Sequence, residues 1–284
     1  MCAESQSDIS TEELFDFLFC EQEGTEHLAM LYQAYIDDSA DRNRERVVIA
    51  GAIVGTKNEW GMVNGKWKTR LKQDKLQYFK SSDCESLNGQ FHKFRRYGMA
   101  EGKRLALAVR DDLYDIIKHS PVISLGVTLS VPFHRRMVAD PATFGAIPAV
   151  PYRLAFQQLL AECGKAILLL GNRHAITFGH DDGDDFAELH RLFKEFKALN
   201  PTYDAVMRDF VPLDDRFHPP AQAADVAAWV TYQAANEYVV THSHEVLKRI
   251  GGRMYKIVNW LDQPYQVGSY PNPDEAPATA VYAV

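Results

Sequence analysis

The run Val47-Val48-Ile49-Ala50-Gly51-Ala52-Ile53-Val54 constrains the fold of this chain more than any other segment. It is almost wholly apolar and rich in β-branched residues, so it reads as a strand. A strand with one wet face alternates apolar and polar residues, and this one does not. Both of its faces are therefore covered, as happens when helices pack on the two sides of a sheet. Leu31–Ile36, upstream across the polar turn Ser39–Arg46, reads as a strand joined to it.

The rest of the chain supplies the other layers. Residues 57–118 read as mostly helical, interrupted at Leu76–Asp83. Within Pro121–Val131, the residues Ile123, Leu125, Val127, Leu129 and Val131 alternate with Ser124, Gly126, Thr128 and Ser130, the pattern of a strand. Pro148 and Pro151 precede a helix from Tyr152 to about Leu169. A strand at Ala175–Gly179 follows. Phe186, Leu189, Leu192, Phe193, Phe196 and Leu199 then fall at helical spacing, and Asn200-Pro201 stops that helix. Val206–Val211 reads as a fifth strand, and Pro219-Pro220 introduce a long helix from about Ala221 that ends by Gly251-Gly252.

Alternation of helices and strands in the second half implies parallel strand pairs with helices on both faces. The expected architecture is one α/β domain over residues 31–262, a mixed five-stranded sheet flanked by helices, with a helical insertion over about 57–118. An amino-terminal extension, 1–30, carries a short helix capped by Ser10 or Thr11. A carboxyl-terminal tail, 263–284, shows no periodicity.

A net charge of −7 over 284 residues argues against a uniformly basic nucleic-acid-coating protein, though not against a local basic groove. Two stretches offer one. Lys66, Lys68, Arg70, Lys72 and Lys75 form the first, with Trp60 and Trp67 interleaved; His92, Lys93, Arg95, Arg96, Lys103 and Arg104 form the second. Each reads either as a phosphate-binding surface or as a solvated helix face. Cys2, Cys20, Cys84 and Cys163 have no CxxC spacing, which suits thiols in a reducing compartment. The apolar runs, Ala166 to Leu170 among them, are far too short to span a bilayer, and the acidic amino terminus lacks the regions of a signal peptide. The expectation is a cytoplasmic protein without membrane association.

Acidic residues punctuate the strand ends. Asp37 and Asp38 close Leu31–Ile36, Asp181 and Asp182 follow Ala175–Phe178, and Asp225 sits in the helical stretch Gln222-Ala223-Ala224-Asp225-Val226-Ala227-Ala228. If the Asp37 and Asp181 strands are adjacent and parallel, both carboxylates emerge at one sheet edge, where open α/β sheets bind ligands. A helix laid across that edge would add Asp225. An all-oxygen cluster suits Mg²⁺ or Mn²⁺ better than zinc, and such ions can activate water and neutralise a phosphodiester.

Structural readings compete with each cluster. Asp38-Ser39-Ala40-Asp41 fits turn chemistry, and Asp184 or Asp185 fits a helix cap. Asp225, on a closely packed alanine face, needs a partner if buried. His174, His180, His190, His242 and His244 offer a rival zinc site, but no HExxH motif is present. His180, beside Asp181, can instead orient water or phosphate, or serve as a surface or capping residue. There is no GxSxG elbow, Walker loop or GxGxxG fingerprint.

Four segments carry a family resemblance. Tyr35-Ile36-Asp37-Asp38-Ser39 resembles the opening "DES" strand of the domain-of-unknown-function family 3800. Phe79-Lys80-Ser81-Ser82-Asp83, followed by Asn88-Gly89-Gln90-Phe91, resembles its "FHMTD…GxF" segment. Phe178 to Asp184 resembles its "FEDGD" strand end, and Gln222-Ala223-Ala224-Asp225 its "LQAADLLA" helix. The matches occur in the family's order across roughly residues 31–240. The resemblance implies an RNase H-like fold, a class with many metal-dependent nucleases. It matches Asp37 to the first-strand acid, Asp225 to the helix acid, Asp181 to the glutamate of "FEDGD" and Asp182 to the aspartate after it. Asp38 stands where the family has glutamate, Lys80 where it has histidine, and Val230 where a glutamate often follows "LLAY".

The resulting expectation is a metal-dependent nuclease or related phosphoryl-transfer protein. Asp37, Asp181 and Asp225 would be the principal ligands of Mg²⁺ or Mn²⁺, Asp38 and Asp182 would support them, and Lys80 would contact phosphate or neutralise an empty metal site. The alternative is a non-catalytic binding or assembly subunit of a defence or mobile-element system on the same fold, with a protein partner or a second copy of itself. A hydrolase of a small phosphorylated metabolite is a third reading.

Overall fold

A computed structural model describes residues 30–140, 147–170, 174–183, 185–241, 254–260, 266–271 and 281–282. The amino-terminal extension with its expected helix, Asp184, His242, His244 and the Gly251-Gly252 helix end lie outside these residues. The strands are β1 (Met30–Ala40), β2 (Val47–Thr56), β3 (Ile123–Ser130), β4 (His174–Asp181), β5 (Met207–Leu213), β6 (Met254–Trp260), β7 (Gln266–Pro271) and β8 (Val281–Tyr282). The helices are α1 (Lys57–Gln73), α2 (Ser81–Ser86), a 3₁₀ segment (Gly89–Tyr97), α3 (Met99–Lys118), α4 (Val131–Ala139), α5 (Pro151–Leu170), α6 (Phe186–Leu199), α7 (Pro201–Asp204) and α8 (Pro219–Thr241).

The five expected strands form a contiguous mixed sheet in the order β3-β2-β1-β4-β5, flanked by helices in an RNase H-like arrangement. β2 runs antiparallel to β1 and β3, whereas β1, β4 and β5 are parallel. Every β2 residue from Val47 to Gly55 is buried, because α5 covers one face of the sheet and α8 the other. One core lies on the α5 side, with Ile36, Phe156, Phe178 and Phe210; the other lies on the α8 side, with Tyr35, Trp60, Trp67 and Phe79.

Three features depart from expectation. Helix α4 directly follows β3, with the Ser130 hydroxyl accepting from the Phe133 N–H and Pro132 in its first turn. β6 adds to β3 in parallel, and β7 and β8 extend the sheet antiparallel, so the stretch read as an aperiodic tail contains strand residues. These short strands need a sheet edge to pair with, which local sequence does not display.

Helix α8 approaches the sheet unusually closely. A Cβ on Gly51 would fall 2.5 Å from the Ala228 backbone nitrogen, and one on Gly126 would fall 2.5 Å from the Thr231 hydroxyl. The alanines of α8 and these two glycines together remove the side-chain spacing that normally separates helix from sheet. Gly51 is also the β2 residue paired with Asp37. The close approach therefore occurs beside the first acid and brings Asp225, one turn before Ala228, towards it.

Candidate functional site

The parallel pairing of β1 with β4 aligns Tyr35 with Gly179 and Ile36 with His180, so Asp37 and Asp181 come next on the two strands, on the same face, where that pairing stops. That face carries α8 and the insertion. Asp37 and Asp225 are both half-buried and near enough for the charge of one to act on the other. Burial pushes the Asp37 carboxyl well above its usual range, and the facing Asp225 and adjacent Asp38 push it further. Burial also lifts Asp225, to about 6, against the pull of Ser81 and Lys80. The Ser81 backbone N–H donates to Asp225 at 2.7 Å, which ties α2 to α8. Asp181 is raised by burial and then by Asp215, with Lys80 opposing.

Lys80 is the cation of this group. Its Nζ donates to Asp215 at 3.1 Å. Burial disfavours its charge, but Asp215, Asp37 and Asp225 together outweigh that and hold it protonated above its ordinary range. Lys80 is positioned by Gln222, whose side-chain oxygen accepts from the Phe79 N–H at 3.0 Å and the Trp67 Nε1–H at 2.8 Å. The Gln222 amide nitrogen donates to the Asp215 carbonyl at 2.9 Å. One buried amide thus joins α1, the segment before α2, and the loop after β5 to α8.

Asp215 is the residue that sequence reasoning missed. Asp214-Asp215 follows the apolar run of β5 as Asp37-Asp38 follows that of β1 and Asp181-Asp182 that of β4, so the same signal marks it. Asp38 and Asp182 are not among the carboxylates that face Lys80. Strand alternation turns Asp38 to the α5 face, where it pairs with Arg44 at 2.7 Å. Asp182 is exposed beyond the end of β4 and is held there by its backbone N–H donating to the Leu213 carbonyl.

His180 is also on the α5 face. Its Nδ1 lies 3.0 Å from the Asp181 carbonyl and its Nε2 lies 3.1 Å from the Tyr152 hydroxyl. The carbonyl can only accept, so Nδ1 carries the proton and Nε2 accepts from Tyr152. Burial holds the ring's pKa below its ordinary range. The ring is neutral and packed among Phe156 and Phe210, with no path to the carboxylate group across the sheet.

The basic stretches separate. Trp60 and Trp67 are core residues and offer no stacking surface. Arg70 is committed to Asp74 and Asp112. In the second stretch Lys93 donates to the Asp74 carbonyl, Lys103 to Glu85, Arg104 to Glu101 and Arg95 to Asn88. Lys68 and Lys72 are exposed and, among the described residues, have no carboxylate within ion-pair distance.

Among the described residues no group of three or more His, Cys, Asp or Glu side chains is arranged to hold a metal ion as it stands, and no helix is long and apolar enough to cross a membrane. Neither a scan against protein-family models nor a search of curated proteins finds a match to the chain.

Proposed function

We propose that this protein is a metal-dependent nuclease, or a closely related phosphoryl-transfer protein, acting in the cytoplasm. The observation that carries the reading is the Asp37–Asp225 pair. Two carboxylates from separate elements are held against each other with their proton affinities raised, a surplus of negative charge that a cation would relieve. The donors are all oxygen, which suits Mg²⁺ or Mn²⁺. Asp37 and Asp225 would hold such an ion, with Asp181 at the neighbouring strand end. When bound, it would supply an activated water and charge neutralisation at a phosphodiester. Lys80 would orient a phosphate oxygen as a point charge, and Asp215 would hold Lys80 in place. The ordered resemblance to the family of RNase H-like proteins adds support, as do the free, buried thiols Cys84 and Cys163 for the cytoplasmic setting.

The test is hydrolysis of single- and double-stranded DNA and RNA with Mg²⁺ or Mn²⁺. Asp37→Ala is expected to lower the rate by on the order of 10²–10³-fold, as for loss of a group that stabilises transition-state charge. Equal activity in the wild type and the variant would sink the mechanism.

The Lys80–Asp215 ion pair favours a second reading. A lysine within reach of three carboxylates can neutralise the site permanently, which suits a non-catalytic binding or assembly subunit. Calorimetry with Mg²⁺ and Mn²⁺ separates the two: heat of binding lost in Asp225→Asn supports the nuclease, and its absence at millimolar metal supports the subunit.

A further inference from the structure

Helices α5, α6 and α7 leave a groove of about 640 Å³ between them. Because α5 leads into the first residue of β4 and α7 into that of β5, the groove lies at the amino end of the parallel strands, opposite Asp37. Its floor is Leu168 and Tyr203, both packed against the α5-side core. A Cβ on Gly164 would fall 2.8 Å from the Tyr203 ring, so only glycine lets α5 and α7 come this close. Its rims are Leu169, in the last turn of α5, and Leu199, the last residue of α6. They are 85% and 80% exposed, more than any other large apolar side chain among the described residues. The polar groups of the groove are committed: Lys165 pairs with Glu162 at 3.0 Å, and the Asn200 amide donates to the Phe196 carbonyl at 2.7 Å. What remains on offer is apolar surface, which suits apolar side chains better than a polar small molecule.

The chain brings an occupant of that chemistry to the same end of the sheet. β1 begins at Met30, which pairs with His174, the first residue of β4 and four positions after Leu170. Four residues span at most ~14 Å and paired strands lie about 4.8 Å apart, so residues 1–29 join β1 within roughly 20 Å of the groove. Strand alternation puts Met30 on the α5 face with Tyr32, Ala34 and Ile36, and 44% of it is exposed. Upstream, Leu14, Phe15, Leu18 and Phe19 follow the capping residues Ser10 and Thr11 and fall within about 140° of one another at helical spacing. That is the pattern of a helix that lays an apolar face into a groove. The charge is equally one-sided. Residues 1–29 hold eight of the 38 acidic residues and none of the 31 Lys and Arg, so the remainder of the chain has 31 basic side chains against 30 acidic ones. The acidity of the protein resides in this segment, and the surface it returns to does not repel it.

We propose that the groove between α5, α6 and α7 is the docking site of this chain's own segment Thr11–Cys20, with the face of Leu14, Phe15, Leu18 and Phe19 set between Leu169 and Leu199. The proposal stands apart from the nuclease reading. Residues 21–30 connect the segment to β1 and reach up to ~33 Å, ample for the return. A tether of that length presents the segment at an effective concentration in the millimolar range, which a second copy of the chain would have to exceed to displace it. Docking removes the two most exposed leucines from water together with four large apolar side chains of the segment. It also anchors the eight carboxylates of the segment at the opposite end of β1 from Asp37 and Lys80.

The experiment is leucine-methyl NMR of the whole chain with a nitroxide on Cys20, in the Cys2→Ser background. Cys84 and Cys163 are buried, which leaves Cys20 as the thiol for the label. At helical spacing Cys20 lies opposite the apolar face, so the label does not block docking. The nitroxide is expected to broaden the Leu169 and Leu199 methyl signals at every protein concentration. It should not do so when the nitroxide and the isotope are carried by different chains in a mixture. Phe15→Asp/Phe19→Asp should abolish the broadening, and Leu169→Asp should abolish it at Leu199. Chymotrypsin then reads release of the segment. Cleavage within residues 14–19 should speed up by about tenfold in Leu169→Asp or Leu199→Asp, as loss of one buried leucine contact would give. Both leucines lie on the surface of the sheet domain, so circular dichroism of these variants should match the wild type. Methyl signals untouched by the nitroxide, or cleavage unchanged in both leucine variants, would overturn the proposal. Broadening confined to the mixed sample would also overturn it, by giving the groove to a second copy of the chain.

Discussion

The two faces of the sheet at the carboxyl ends of β1 and β4 are built from adjacent residues and yet differ completely. On the α8 face, Asp37, Asp181, Asp225 and Asp215 surround Lys80, and the carboxyls of the first three hold protons more tightly than usual. On the α5 face, Asp38 pairs with Arg44 near the surface, and His180 is neutral within an aromatic core, satisfied by Tyr152 and a backbone carbonyl. One residue along either strand changes the face. The α8 face gathers four carboxyls about one lysine, whereas on the α5 face Asp38 is paired and His180 is neutral. Gathered like charge is what a ligand can act on, so under the proposed function the chemistry belongs to the α8 face and the α5 face serves stability.

The comparison is broken most forcefully at Gly51, which sets the distance of α8 from the sheet. Gly51→Val places side-chain atoms where the Ala228 backbone stands, and a backbone cannot rotate aside. It is expected to lower stability by about 3 kcal/mol in urea unfolding and to uncouple Asp225 from Asp37, abolishing any metal-dependent activity in the fraction that still folds. Wild-type stability in this variant would mean that α8 has slack, and that its close approach does not position the pair.

A smaller effect separates the two faces through pH. A carboxyl whose folded-state pKa is raised contributes stability below about pH 4, and loses it as pH rises through the folded value, about 6 for Asp225. At about pH 7.5 the folded protein therefore carries the cost of a buried, ionised carboxylate, with a smaller repulsion from Asp215, that Asp225→Asn removes. Allowing for solvent screening of a half-buried group and a weaker bond from Ser81, the variant should be more stable by about 1 kcal/mol near pH 7.5, the gain vanishing towards about pH 4. Asp38→Asn loses only an exposed ion pair and should change stability by less than about 0.5 kcal/mol at either pH. Thermal melts at the two pH values decide it: an Asp225→Asn protein less stable than wild type near pH 7.5 would show that the pair is not strained.

Much of this was legible in the chain. Five strands and the helices between them announce themselves through apolar runs and helical spacing, and the unbroken apolarity of Val47–Val54 correctly called for cover on both faces. Asp37 and Asp225 stood out because each interrupts a strongly apolar setting. What sequence alone could not supply was register and direction. Asp37 and Asp38 are equivalent as text, and only pairing to β4 and cover by α8 distinguish them. Asp215 bore the same mark as the other strand-end acids, but its role depends on Lys80, which is 135 residues away along the chain. The tryptophans interleaved in the first basic stretch fit either a core or a binding face by spacing alone, and their burial, with the Gln222 bond to Trp67, places them in the core.

The smallest predicted effect tests the quiet face. Tyr152 donates to His180 Nε2, and both side chains are almost fully buried. Tyr152→Phe keeps the ring but leaves a buried acceptor without a donor, which costs about 1 kcal/mol. The lowered pKa of His180 gives this face the opposite pH response from the acids. A depressed histidine contributes stability above its unfolded pKa, about 6.5, and loses it as pH falls through the folded value. Without the tyrosine, Nε2 is freer to accept a proton, so the His180 pKa should rise and the acid-side loss of stability should flatten. Imidazole NMR titration together with urea unfolding at several pH values measures both. If Tyr152→Phe instead changed the metal dependence of cleavage while leaving stability intact, the division of labour between the faces would fail, and His180 would belong to the chemistry through its hold on the Asp181 carbonyl.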